Sequence, residues 1–250
     1  MVFNLFKYSS PASFYPLAGR LAVGFGIASV MLLVIGLYMS FFVAPTDYKQ
    51  GEGYRIMFIH VPAAWMSMWI YVVMACFAAA GMIWNTRLSS MMASSLAPTG
   101  AMFTFIALWT GALWGKPMWG AWWVWDARLT SELILLFLYV GFMALESAID
   151  DPRRAARASG LLALVGVVNV PIIYYSVQWW NTLHQGSSIK VVSGGIETSM
   201  SEIMVWTLLV MTFACWFYAV AVSLSRVRST ILERESGTAW VKTLLTGDKA

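Results

Sequence analysis

LAVGFGIASVMLLVIGLYMSFFV, residues Leu21 to Val43, runs for 23 positions without a charged side chain. A helix needs about 20 apolar residues to cross roughly 30 Å of hydrocarbon, so this stretch reads as a membrane span. It is too long for the apolar core of a secretory signal and lacks a small-residue cleavage site, so it is expected to be retained. Uncharged runs of similar length recur at Ala63 to Trp84, Leu96 to Trp114 and Ile203 to Leu224. Two weaker spans complete six. Leu129 to Ile149 carries Glu132 and Glu146 around an apolar centre, and Gly160 to Val177 contains Asn169 and Pro171; both require neighbouring helices that satisfy their polar groups. Hydrophobic residues make up 60% of the 250 and charged residues 11%, against roughly 45–50% and about 25% in soluble domains. The expected fold is an all-α integral membrane protein of six transmembrane helices, a single polytopic domain over 1–250 with spans near 21–43, 63–84, 96–114, 129–149, 160–177 and 203–224.

Orientation follows from the basic residues, because cytoplasmic segments retain positive charge. With the N-terminus inside, Lys7, Arg20, Arg87, Arg153, Arg154, Arg157, Arg226, Arg228, Arg234, Lys242 and Lys249 are cytoplasmic, which is 11 of 16. Lys49, Arg55, Lys116, Arg128 and Lys190 are outside. Both termini are therefore expected in the cytoplasm, and the net charge of +4 reflects topology rather than a nucleic-acid-binding domain. The segment 226–250 is read as a cytoplasmic tail along the membrane surface, with no function assigned. Cys76 and Cys215 fall inside spans, and neither has a Cys or His at motif spacing, which excludes a CxxC thiol carrier and a CxxCH haem attachment site. No GxxxxGK[ST] loop occurs, so any nucleotide energy comes from another subunit.

Everything chemically unusual falls in the outer loops. Between Trp114 and Trp125 stand five of the chain's 14 tryptophans, Trp114, Trp119, Trp122, Trp123 and Trp125, running into Asp126. An aromatic belt at the headgroup level accounts for Trp84, Trp109 and Trp206, but this density in the loop 115–128 reads as a platform for a large, flat, apolar ligand. As a short helix the stretch would place Trp119, Trp122, Trp123 and Asp126 on one face, with Gly115, Pro117 and Gly120 shaping its entry. The only two histidines, His60 and His184, lie in the outer loops on either side. Each alone reads as a hydrogen-bonded interfacial residue. Together beside an aromatic platform they suit a haem, whose iron takes one axial nitrogen from each face.

Asp126 is placed to cap the fourth span or to accept a hydrogen bond from an indole or a histidine. Arg128 and Lys116 are candidates for neutralising carboxylates of the ligand or for headgroup contacts. Glu132 reads as a buried hydrogen bond to a neighbouring helix, with a proton relay as the other reading.

At these residues the chain resembles a known family of haem-handling membrane proteins with a WWD domain, whose WGxxWxWD signature here reads Trp119-Gly120-Ala121-Trp122-Trp123-Val124-Trp125-Asp126. The segments His60-Val61-Pro62-Ala63-Ala64, Asp126-Ala127-Arg128-Leu129-Thr130-Ser131-Glu132-Leu133 and Asn181-Thr182-Leu183-His184-Gln185-Gly186 extend the likeness over the whole chain, to the cytochrome c maturation protein C (CcmC) branch. The resemblance implies a multi-pass protein of the bacterial inner membrane, not an enzyme, presenting non-covalent haem b at the periplasmic face. His60 and His184 would be the axial ligands, with Trp114, Trp119, Trp122, Trp123, Trp125, Asp126 and Arg128 around the haem. It also implies delivery to the haem chaperone protein E (CcmE), with ABC-type partners A and B (CcmA and CcmB) and the small protein D (CcmD). Two other functions stay open on the residues alone: a haem-transporting permease subunit, and a bis-histidine quinone oxidoreductase.

Overall fold

The computed structural model describes residues 8–184, 189–192, 195–198 and 200–246. Lys7, Gln185, Gly186 and Lys249 lie outside them. Six helical rods long and apolar enough to cross a bilayer make up the body. The first is α1 (Pro11–Tyr38), extended by a wider turn over Met39–Val43. Next, α2 (Met57–Trp84) follows a tight turn over Glu52–Ile56. The third and fourth are α3 (Arg87–Trp119) and α4 (Ala127–Ala148). The fifth is a broken pair, α5 (Pro152–Gly166) and α6 (Asn169–Trp179), and the last is α7 (Glu202–Arg234). A two-stranded antiparallel hairpin, β1 (Ile189–Val192) with β2 (Gly195–Thr198), precedes α7 with Ile189 opposite Thr198. The sequence reading held no strand there.

Three features depart from the expected boundaries. The 33 residues of α3 rise about 50 Å at 1.5 Å each, far more than a bilayer needs, so the helix carries Trp114 to Trp119 beyond its apolar span. It stops where Gly120 takes φ +76° and donates its amide to the Lys116 carbonyl at 3.0 Å, a left-handed cap that glycine adopts without penalty. The fifth rod breaks at Val167 and Val168 because Pro171, third in α6, brings no amide to the helical ladder. The C-terminal segment does not trail away: α7 continues to Arg234, and α8 (Ala239–Thr246) folds back on α1, burying Val241 and setting Trp240 against Tyr15 at 6.0 Å.

Helix α1 lies along α7, and α2 along α3, with α4 against α3, α5 and α6. The centre is filled by Tyr71, Met74, Leu135, Tyr139 and Phe142, all fully buried. Close approach there needs Gly100, because a Cβ would collide with the Tyr139 ring. Val23, Val30, Val34 and Phe42 of the first rod stay exposed, as side chains facing lipid should. The polar groups inside the weaker spans are satisfied across helices: Ser67 Oγ donates to Glu132 Oε1 at 2.7 Å, and Asn169 Nδ2 to the Ser131 carbonyl at 2.8 Å. At the other end Glu146 takes bonds from Ser94, Ser159 and Arg234. The alternating helices bring the start of α2, the ends of α3 and α6 and the start of α4 to one end of the bundle.

Candidate functional site

His60 stands in the first turn of α2 and faces a stripe of α3 in which Ala107, Thr110, Gly111 and Trp114 recur at helical spacing. Its Nδ1 lies 3.0 Å from Thr110 Oγ1. The single Thr110 hydroxyl proton goes to the Ile106 carbonyl at 2.6 Å, so Oγ1 can only accept, and the ring proton is placed on Nδ1. That assignment leaves the lone pair on Nε2. Gly111 makes room for the ring, since a Cβ there would sit 3.1 Å from His60 Cε1. Trp114 closes the next turn edge-on to the imidazole at 5.7 Å, its own indole N–H donating to Gln50 Oε1 at 2.8 Å.

The tryptophan segment does not form the expected helix. Residues 120–126 run irregularly between α3 and α4, because Gly120 turns the chain and Asp126, in extended conformation, caps α4 through Oδ1 to the Leu129 amide at 2.8 Å. The four-residue face of Trp119, Trp122, Trp123 and Asp126 is therefore replaced by a folded-over loop. Trp119, last in α3, lies over Gly115, where a Cβ would stand 2.9 Å from its ring. Trp123 packs on Trp125 at 5.4 Å with its buried indole nitrogen unpartnered. Trp125 is 77% exposed and Trp122 56%, and Lys116 spends its ammonium on the Gly120 carbonyl and the Trp122 ring.

His184, beyond α6, packs against Trp119 at 4.9 Å. Its Nδ1 lies 3.8 Å from Asp126 Oδ2, beyond hydrogen-bond reach, and neither atom has another partner. Burial, reinforced by the nearby Arg128 charge, pushes the His184 pKa down to about 4. The ring is thus neutral at pH 7, and the contact with Asp126 is not an ion pair.

His60 and His184 line one cleft, together with Arg128, Leu129 and Glu132. The cleft is half-open, with about 30 Å³ of free volume. Among the described residues the Arg128 guanidinium makes no hydrogen bond or ion pair, although its carbonyl accepts from Ser131. No three His, Cys, Asp or Glu side chains among them form a metal cage. Two neutral imidazoles suit iron already held in the plane of a macrocycle better than a bare ion. The structure thus gathers His60, His184, Trp114, Trp119, Asp126 and Arg128, and leaves Trp122 and Trp125 at the surface. Thr110, Gly111 and Gln50 escaped the sequence reading. Nothing along the chain marked them, because each acts through what it reaches on another helix.

Residues 4–242 match the protein family described as Heme exporter protein C. The chain is 48% identical to Heme exporter protein C of Escherichia coli over 242 residues, covering 97% of this chain and 96% of that one. It is 48% identical to the protein of the same name from Bradyrhizobium diazoefficiens over 92% of this chain and 86% of that one. A ccmC-like mitochondrial protein of cytochrome c biosynthesis from Marchantia polymorpha is 46% identical over 68% of this chain and 72% of its own length.

Proposed function

This chain belongs to the Heme exporter protein C family, and from that premise we propose that it holds haem b non-covalently at the periplasmic face of the bacterial inner membrane and passes it to the haem chaperone, protein E. It handles haem for cytochrome c maturation and is not an enzyme. CcmA, CcmB and CcmD are the proposed partners, and the excess of basic residues at the end opposite the histidines supports the orientation.

One observation carries this reading: the only two histidines of the chain, 124 positions apart, line a single cleft with buried, unpaired polar atoms beside it. His60 and His184 would hold haem through their imidazole nitrogens, with the iron supplying the Lewis acid they bind. His60 offers Nε2 because Thr110 holds the proton on Nδ1. His184 is kept neutral by burial, and its Nδ1–H has Asp126 Oδ2 as the nearest acceptor once the two approach by less than 1 Å; such outer partners orient metal-bound imidazoles. Trp114 and Trp119 wall the two rings. The Arg128 guanidinium, unpartnered among the described residues, would take a propionate carboxylate, while Lys116 is already engaged.

Both histidines stand at one end, whereas an electron-transfer bundle spanning the bilayer needs haem sites at both. The filled centre around Tyr71, Tyr139 and Phe142 supports presentation rather than conduction through this chain alone. The test is visible absorption of the purified protein, with His60→Ala and His184→Ala variants, with and without imidazole. A Soret band that each variant loses and imidazole restores is the expected result. Wild-type haem content in both variants overturns the ligand assignment.

A further inference from the structure

A second and larger cavity, about 540 Å³, opens at the end of the bundle away from the histidines, between the α2–α3 turn, the α4–α5 turn and the end of α7. That volume is in the range of small-molecule sites, about 300–1,000 Å³. Met82, 39% exposed, supplies apolar surface on one wall, backed by the buried Ala78, Met91 and Phe142. The other carries four arginines and three acids. Glu146 is spent: Arg234 reaches its Oε2 at 2.7 Å, and Ser94 and Ser159 bond its two oxygens. Glu235, buried, pairs with Arg87 at 2.8 Å. Asp151 uses Oδ1 to cap α5 through the amides of Arg153 and Arg154. Arg153 and Arg157 remain, four residues apart on the exposed face of α5, their guanidinium groups free of any hydrogen bond or ion pair among the described residues.

We propose that this cavity binds an amphiphilic anion, with its phosphate or carboxylate head on Arg153 and Arg157 and its apolar body against Met82. The reasoning is one of complementarity. The cavity is too large for a lone inorganic anion, the exposed Met82 on its wall favours a ligand with an apolar part, and its four arginines against three carboxylates leave one net positive charge that favours a negative head. A basic pocket between membrane helices at the interface is suited to an anionic phospholipid. Haem, a flat apolar disc with two carboxylates, has the same chemistry. The proposal stands whether or not His60 and His184 hold haem.

The full chain, wild type and Arg153→Gln/Arg157→Gln, is exchanged into phosphatidylcholine nanodiscs with or without phosphatidylglycerol and read by native mass spectrometry. Arg154→Gln, on the same turn but outside the cavity, serves as the charge control, and circular dichroism checks the fold of each. The expected result is a phosphatidylglycerol adduct on the wild type and Arg154→Gln that falls roughly tenfold in the double variant. The second arm titrates haem into a His60→Ala/His184→Ala background. Haem retained there and released on adding the two glutamines identifies the carboxylate disc as the ligand instead. Equal retention of both probes with and without Arg153 and Arg157 overturns the site, as does an equal loss in Arg154→Gln.

Discussion

Thr110 has one hydroxyl proton, and its loan to the Ile106 carbonyl decides which nitrogen of His60 is bare. With only two histidines in the chain, ¹⁵N-histidine labelling reads both rings without crowding. The expected spectrum of the wild type shows His60 protonated on Nδ1. Thr110→Val should mix the tautomers and weaken haem binding about tenfold to hundredfold, the usual effect of an outer partner on a metal site, and Thr110→Ser should restore both. An unchanged spectrum and affinity in Thr110→Val would remove the orienting role. His184 gives a second prediction. Its pKa near 4 in the fold lies below the ordinary value of about 6.5, so the unfolded chain binds a proton that the folded chain does not. Stability is therefore full above about pH 6.5 and falls as pH drops from there towards 4, by up to roughly 3 kcal/mol. Proton competition at this ring likewise starts late, and the Soret band should persist from pH 8 to about pH 5. A loss centred near pH 6.5 would show an ordinary, solvated histidine.

The loop between α3 and α4 depends on its two ends, a left-handed glycine at 120 and the Asp126 cap. Each oxygen of Asp126 has its own role, and substitution separates them. Asp126→Ala should cost about 1 kcal/mol of stability through loss of the cap and also lose the acceptor facing His184. Asp126→Asn, a good cap, should keep thermal stability while weakening haem binding. Equal haem affinity in Asp126→Asn and wild type would confine the residue to capping. The long reach of α3 was hidden in the sequence because Gly115, Lys116 and Pro117 look like a loop entry. The helix nevertheless runs through Pro117, whose missing amide costs one ladder bond without ending the rod, and stops only where Gly120 supplies the positive φ. The helical face expected for Trp119, Trp122, Trp123 and Asp126 failed for the same local reason.

Across the whole molecule, polar side chains tie the rods together where lipid offers no partner. Glu146 of α4 and Arg234 of α7, 88 positions apart, pair at 2.7 Å with little exposure. Breaking this pair by Glu146→Ala leaves a half-buried cation and should lower stability by about 3 kcal/mol or more, whereas Glu146→Gln with Arg234→Met should recover most of it. Thermal unfolding in detergent measures both, and a double variant no better than the single would show that the pair itself is stabilising.

The six spans, their order and the residues worth testing were legible in the amino-acid order alone. An uncharged run of about 20 residues in a chain this apolar has few places to go but hydrocarbon, and His60, His184 and the tryptophan cluster stand out by rarity or density. What only the tertiary structure decided is which of them meet. Thr110 reaches His60 across 50 positions, Gln50 reaches Trp114 across 64, and His184 comes to Asp126 and Trp119 from beyond α6. The arginine-lined cavity, likewise, forms only because two hairpin turns and the end of α7 arrive at one end of the bundle. Local sequence sets where a helix starts and stops through its caps and apolar runs. Contacts between helices depend on which faces interlock, and small residues such as Gly100 and Gly111 set that through the room they leave, a property with no signature along the chain.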